Sequence, residues 1–370
     1  MKILHFADVH LGRGFSGYAE VSEELSEARY ETLENLISKA NEKQCDVIVI
    51  AGDLFERPRM NKADVERVIQ ILNRFERGPV LLLPGNHDYV TPESDLWRYV
   101  NDAKDDHVIV LGEKAPKSLG DYDLPATIYP APCHSKHSSE NEIGWIADVE
   151  KDSELINIGI AHGSVPGVAP DMNDEHYPMT QEELSDSGVD LWLLGHIHVP
   201  WPDNPGQKDR ILYSGTPEPD TANCPHGGTA LLVEIGESKE VYVQQLLTGK
   251  YRFENWDEHV TSKEELENLL QRAEQEESQE VVCRLTINGK LEEEACKSWH
   301  EEIFPKLREA FFYLKLDDSD LKRRITKEQV EEEFPQESFP DRLLSRFIEN
   351  DQEEALQTAY ELISEVQDEN

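Results

Sequence analysis

The chain has 370 residues, with 38% hydrophobic and 30% charged residues, which excludes a disordered chain and, at about 100–200 residues per domain, predicts two or three domains. Acidic residues outnumber basic ones 76 to 36, for a formal net charge of −40. That excludes a basic nucleic-acid arm or an anionic-membrane surface protein, and leaves open nucleic acid handled through bound metal ions or a basic partner.

The apolar run Lys2–Ala7 predicts a first strand, and the N-terminal stretch Met1–Ala7, which runs straight into it, lacks the layout of a signal peptide. Next come a helical pattern at Glu24–Gln44, strand Asp46–Ala51, helix Lys62–Arg77, strand Pro79–Leu83, helix Ser94–Asp102, and strands His107–Leu111 and Ala126–Ala131. A weaker helix at Ser139–Asp148 precedes strand Leu155–Ala161. Helix Gln181–Ser187, opened by the capping box Thr180-x-x-Glu183, precedes strands Leu191–Leu194, Arg210–Tyr213, Thr229–Ile235 and Glu240–Leu247. Gly and Pro mark Val199–Gln207 and Thr216–Gly228 as loops. Strands alternating with helices make residues 1–250 an α/β core.

The texture changes at Tyr251. Strand Arg252–His259, a helix from Ser262 with Glu265 in its cap, strand Val281–Ile287, helix Glu292–Ala310 and strand Phe311–Leu316 make a small α+β domain over 251–325. Residues 326–370 read as helices broken by Pro335 and Pro340, and helices this short need something to pack against. No run of about 18 apolar residues predicts a transmembrane helix. Cys45, Cys133, Cys224, Cys283 and Cys296 are scattered and never spaced Cys-x-x-Cys, which fits free thiols in a reducing cytoplasm. The acid excess persists along the chain, 43 acids to 21 bases up to residue 250 and 33 to 15 after it. Solvating charge and adaptation to a saline cytoplasm both account for it.

Five fragments carry metal-ligand residues just past an apolar run: Asp8-Val9-His10, Gly52-Asp53-Leu54, Gly85-Asn86-His87-Asp88, His162-Gly163 and Gly195-His196-Ile197-His198. In an open α/β sheet the carboxyl ends of the strands face one crevice, so the five can converge there. Asp and Asn offer hard oxygens and His offers imidazole, a donor set for manganese, iron, zinc or magnesium and not for a thiolate site. Two such metals sharing a bridging carboxylate hold a phosphate diester, lower the pKa of a bound water and stabilise an in-line displacement. Glycine at 52, 85, 163 and 195 lets the backbone turn close to the metals. Any one fragment is common by chance; the specificity lies in the ordered set. The remaining histidines, His5, His107, His134, His137, His176, His226, His259 and His300, read as ordinary surface or loop residues, with His134 and His137 placed to approach the crevice.

This ordered set resembles the calcineurin-like metallophosphoesterase superfamily. Within it, Phe6-Ala7-Asp8-Val9-His10-Leu11-Gly12, Ala51-Gly52-Asp53-Leu54-Phe55 and Tyr213-Ser214-Gly215-Thr216-Pro217 are similar to the SbcD-type DNA repair nucleases, relatives of the nuclease subunit of the double-strand-break repair complex. The resemblance implies two sheets sandwiched between helices, a DNA-binding capping domain and C-terminal helices that hold an SMC-like, SbcC-type ATPase. It implies a metal-dependent DNA exonuclease and endonuclease with two divalent ions, manganese first and magnesium or iron as alternatives. Asp8, His10, Asp53 and His198 would hold one metal; Asn86, His162, His196 and the shared Asp53 would hold the other. His87 would stabilise the transition state and act as general acid, with Asp88 orienting its imidazole or capping the turn. Some relatives carry a histidine where Glu56 stands here, so a second catalytic histidine is not expected. A homodimer through Lys62–Arg77 and Ser94–Asp102 is expected on resemblance alone. Leu343, Leu344, Phe347, Leu356, Tyr360 and Ile363 would face the ATPase, with Glu349, Asp351, Glu353 and Glu354 favouring a basic surface on it; the alternative is that these helices dock on the protein's own capping domain. The alternatives are a small-molecule or nucleotide phosphodiesterase, which would end near residue 250, and a non-catalytic assembly subunit with a relic site.

Overall fold

Each apolar run becomes a strand wherever a second run lies beside it to complete its hydrogen bonds. The computed structural model describes residues 1–91, 94–168, 176–275 and 278–368, and divides into two units, Met1–Phe253 and Glu254–Asn370. In the first unit the strands are β1 (Lys2–Phe6), β2 (Val47–Ala51), β3 (Val80–Leu83), β4 (Val108–Val110), β5 (Lys117–Ser118) and β6 (Ala126–Ala131). They continue with β7 (Ile156–His162), β8 (Leu191–Gly195), β9 (Pro200–Trp201), β10 (Ile211–Ser214), β11 (Thr229–Ile235) and β12 (Val241–Leu247). One sheet runs β12-β11-β1-β2-β3-β4 and the other β5-β6-β7-β8-β10-β9. Neighbours β1 to β4 are parallel, as are β6, β7, β8 and β10.

Parallel strands buried on both faces read as continuous apolar runs, as Val47–Ala51 does. Ile3, Val47, Val49, Leu81 and Leu83 of one sheet pack against Ile128, Ile158, Ile160, Leu191 and Leu193 of the other. The opposite face of the first sheet, with Leu4, Phe6, Ile48 and Ile50, is covered by α1 (Ser22–Glu42), α2 (Lys62–Leu72) and α3 (Asp95–Ala103) through Leu33, Leu36, Val65, Ile69 and Leu96. Truncating one such leucine to alanine costs about 2–5 kcal/mol. The helices start where their caps allow: Asn61 and Ser94 accept the Asp64 and Leu96 N–H groups, and Thr180 and Glu183 form the expected box on α4 and α5 (Gly144–Ala147, Gln181–Asp186), at the start of the latter.

His5 corrects its expected place. It lies on β1, fully buried between the sheets, because its neighbours Ile3 and Ala7 share that face.

The second unit holds β13 (Arg252–Val260) from Glu254 onward, α6 (Lys263–Gln275), β14 (Val281–Leu291), α7 (Glu293–Ser298), α8 (Phe304–Ala310) and β15 (Tyr313–Arg323). The sheet order is β13-β14-β15. Two expectations shift. β15 runs past Leu316 to Arg323 because β14 continues beside it to Leu291 and pairs with it in parallel, and Asp317 and Asp320 on this edge strand are exposed. The single helix expected over Glu292–Ala310 is interrupted by a π segment at Trp299–Ile303, just before Pro305, which has no N–H to continue the ladder.

Three helices, α9 (Lys327–Glu333), α10 (Phe339–Glu349) and α11 (Glu353–Asp368), end the same unit. Here the partner-facing set needs correction. Leu344 and Leu356 are buried with Ile325, Val330 and Phe334 in a cluster of the helices' own, because their stripes face inward. Phe347, Tyr360 and Ile363 pack against that cluster while half-buried, and Leu343 is half-buried as well. Among the described residues, Phe339, Leu362 and Val366 are the large apolar side chains these helices expose, 73%, 58% and 61%.

Candidate metal centre

β1, β2 and β3 of one sheet and β7 and β8 of the other end at one place, and each ends on one of the five fragments. The chain leaves these strands through strained backbone. Asp8, His10 and Asp53 have φ of 58°, 51° and 51°, and His196 has φ of 98°, left-handed values that cost energy for residues with a Cβ. Cross-strand bonds hold the turns: Asp8 N–H donates to Gly52 O at 3.1 Å and His10 N–H to Asp53 O at 3.0 Å. Gly195 lets the two sheets meet, since a Cβ there would lie 2.1 Å from Ala51 O and 2.6 Å from Ala7 Cβ.

All seven expected ligands converge, with Asp8, His10, Asp53, Asn86 and His162 buried. His10 Nε2 faces His198 Nε2 at 3.2 Å, and Asp8 Oδ1 lies 3.9 Å from His198 Nε2. On the other side Asn86 Oδ1 lies 2.9 Å from His162 Nε2 and 3.1 Å from His196 Nδ1. One oxygen, Asp53 Oδ2, joins the halves, 3.8 Å from His10 Nε2 and 3.2 Å from His162 Nε2. Its partner Oδ1 accepts the His87 N–H at 2.7 Å. The ligand atoms of Asp8, His10 and His198, and those of Asp8, Asp53 and His162, lie within 4.8 Å of one another in each group.

The electrostatics fit cations. Burial would push the His162 imidazole down, but the charge of Asp53 and its contact with the ring outweigh it and raise His162 to about 9. Burial likewise opposes a charged His198, but Asp220 and Cys224 raise it well above its ordinary value. Carboxylates thus draw protons onto His162 and His198, whereas burial lowers His10 and His196 and keeps them neutral, the form that binds a metal. The oxygen and nitrogen donor set suits two divalent ions, with Asp53 shared.

The groups behind the ligands divide the centre. His10 Nδ1 meets Glu56 Oε2 at 3.1 Å, and His198 Nδ1 lies 3.9 Å from Asp220 Oδ1. A carboxylate behind a ligating imidazole fixes its orientation and raises its basicity. In the other half His162 Nδ1 has a carbonyl, Ala51 O at 2.8 Å. Asp220 is held in turn by Arg13 at 3.1 Å and by buried Arg29 at 3.7 Å, and Arg29 also donates to Val9 O between two ligands. Glu56 had no assigned role in the sequence, and Asp220 and Arg29 were not found there. The available signal was polarity on the apolar stripe of α1, where Arg29 and Thr32 are buried and reach Asp220 and Glu218.

His87 stands at the mouth, its ring 4.8 Å from that of His10, with Nδ1 donating to Glu56 O at 3.0 Å. The expectation that Asp88 orients this imidazole is corrected. Its two oxygens accept the N–H groups of Gly85 at 2.6 Å and Phe55 at 3.0 Å. Asp88 therefore shapes the turn that carries Asn86 and His87, the capping alternative. Burial, reinforced by the Asp53 charge, raises its carboxyl to about 7. His176 and His226 also leave the surface-residue class: the His176 ring lies 5.1 Å from that of His196, and His226 Nε2 lies 2.7 Å from His198 O.

A family model described as Calcineurin-like phosphoesterase matches residues 1–200. The uncharacterized metallophosphoesterase YhaO of Bacillus subtilis (strain 168) is 26% identical over 339 residues, covering 84% of this chain and 78% of that protein. The DNA double-strand break repair protein Mre11 of Methanopyrus kandleri is 29% identical over 235 residues, 60% of this chain and 49% of that protein. This chain thus spans about half the length of that relative. Among solved structures, TT1561 of Thermus thermophilus aligns over 66% of this chain and 97% of its own, with 12% identity and a TM-score of 0.40.

Proposed function

Since the chain belongs to the calcineurin-like phosphoesterases, whose fold its two helix-flanked sheets adopt, we propose that it is a two-metal DNA nuclease of double-strand-break repair, similar to the SbcD type. The observation that carries this reading is the convergence of seven ligands on two half-sites that share Asp53 Oδ2, with His87 at the mouth. The likeness to Mre11 supports DNA as the substrate.

Bound there, two divalent ions would position a phosphodiester and supply an acidified water and charge stabilisation for in-line displacement. Asp8, His10 and His198 would hold one ion, Asn86, His162 and His196 the other. Glu56 and Asp220 keep the His10 and His198 rings turned toward the first. The Glu56 carbonyl takes the Nδ1–H of His87, so Nε2 faces the leaving oxygen and, in the imidazolium form, donates a proton to it.

The proposed partners follow the same reading. An SMC-like ATPase would dock on the C-terminal helices through Leu343, Phe347, Tyr360 and Ile363 with exposed Phe339 and Leu362. A homodimer would form beside α2 and α3, and a strictly monomeric mass at micromolar concentration counts against it.

The function test offers purified protein, with manganese or magnesium, linear duplex DNA, circular single-stranded DNA and a chromogenic phosphodiester. We expect DNA cleavage that falls about 10³-fold in Asp53→Asn, which loses the shared negative charge, with an unchanged circular dichroism spectrum. Hydrolysis of the chromogenic diester without DNA cleavage would favour a small-molecule phosphodiesterase. Full DNA cleavage by Asp53→Asn would refute the site.

A further inference from the structure

A second line of imidazoles leads outward from the metal centre. His162 and His196 have ring centroids 5.2 Å apart, His196 and His176 5.1 Å, and His176 and His137 5.2 Å. The line runs from fully buried His162 to exposed His137. Neither His176 nor His137 is among the seven ligands.

The backbone that carries these two is built for the place. Ser138 and His176 form a β-bridge, and Tyr177 N–H donates to Ser138 O at 2.9 Å. The Tyr177 hydroxyl accepts the Ser135 N–H at 2.8 Å and donates to Ser135 O at 2.7 Å. Ser164 donates through N–H and Oγ to His176 O. Tyr177 adopts a left-handed φ of 52°, and its carbonyl lies 2.2 Å from where a Cβ on Gly163 would stand. A bulky residue in that conformation, fitted against the glycine that follows a ligand, is strain of the kind kept at working sites. The same loop carries Lys136, whose carbonyl accepts from Asn86 Nδ2 at 3.3 Å and so turns Asn86 Oδ1 inward.

His87 flanks the pair of half-sites beside His10, and His176 flanks it beside His196. On a chain of net charge −40, attraction for a polyanion must come from such local donors. An imidazole N–H can donate to a phosphate oxygen.

We propose that His176 and His137 form a second phosphate subsite, which binds the non-bridging oxygens of the phosphate next to the scissile one. The subsite selects substrates whose phosphates repeat along a chain over single phosphodiesters. This rests on the nuclease reading above and specifies its substrate class.

The test compares oligothymidylate with bis(p-nitrophenyl) phosphate, which carries one phosphate, in the manganese-loaded full chain. In His176→Ala and His137→Ala the ratio of kcat/KM for oligothymidylate to that for the single diester falls about tenfold, through KM, the size of one lost hydrogen bond. Two metals per chain by elemental analysis show that His196 is undisturbed. An unchanged ratio, with both substrates losing equally, overturns the subsite and leaves these residues as support for His196. If the parent protein cleaves the single diester but not DNA, the nuclease reading fails by itself. Oligothymidylate is then used as an inhibitor of diester turnover: its inhibition constant rises about tenfold in the variants if the subsite is real, and an equal constant, or no inhibition of the parent, overturns it.

Discussion

At the scale of single residues, the centre separates groups that hold charge from groups that aim it. His87 contributes no atom to the half-sites proposed for the metals, yet its ring lies 4.8 Å from His10 and is oriented by a backbone carbonyl. His87→Ser is therefore expected to keep two metals per chain while turnover falls by about 10²–10⁴. Metal loss in that variant would make His87 a ligand. Asp220 acts one layer further back. Burial opposes its charge, but His198, Arg29 and Arg13 hold its carboxyl well below the usual range, so it is anionic behind the His198 ring. Asp220→Asn keeps the shape and removes the charge, and should weaken binding of one of the two ions by about 10–100-fold. Titration calorimetry with manganese checks this, and affinities unchanged from the parent's for both ions would remove Asp220 from the site.

At the scale of elements, the place where the sheets meet stores a pH dependence. His5 on β1 is fully buried between them, and neither ring nitrogen has a hydrogen-bond partner among the described residues. Burial lowers its pKa to about 4, and the carbonyls of Val49, Leu194 and Leu212 offset only part of that. Between the ordinary value of about 6.5 and about 4 the unfolded chain binds the extra proton, so stability is complete above that window and falls as pH drops through it. The loss from His5 amounts to about 2 kcal/mol between pH 7.5 and 5. His5→Leu should remove that difference in chelator-treated protein, measured as urea midpoints at the two pH values. An equal acid slope in the variant would place the titration elsewhere. The strand that carries His5 also carries Asp8 and His10 just beyond its end, so acid loosening would reach the metal centre through β1.

At the scale of the whole chain, the centre belongs to one unit and the proposed partner surface to the other. The second unit, Glu254–Asn370, ends in helices with a cluster of their own around Leu344 and Leu356. Truncation after Arg324 removes that cluster but leaves β13, α6, β14 and β15 nearly whole. The truncated protein should retain metal-dependent turnover within about twofold and no longer co-purify with the proposed ATPase, because the segment's exposed apolar surface goes with it. Parental affinity for the ATPase after truncation would sink the docking proposal. No helix among the described residues is long and apolar enough to cross a membrane.

The sequence by itself determined the alternation of strands and helices in the first 250 residues and the candidate ligand residues that follow five of the strands. Strand periodicity and strand-end turns are local, so apolar runs such as Val47–Ala51 and the glycines after them are visible without a fold. What surrounds the ligands was decided by tertiary structure. Asp220 comes from a loop without periodicity, Arg29 from the face of a helix, and His176 from a segment whose place is set by pairing with Ser138. Their roles exist only as distances across the chain, such as 212 residues between Asp220 and Asp8, and no spacing rule reaches that far. The inward turn of Leu344 and Leu356 belongs to the same class, because an amphipathic stripe specifies a buried face and leaves open what buries it.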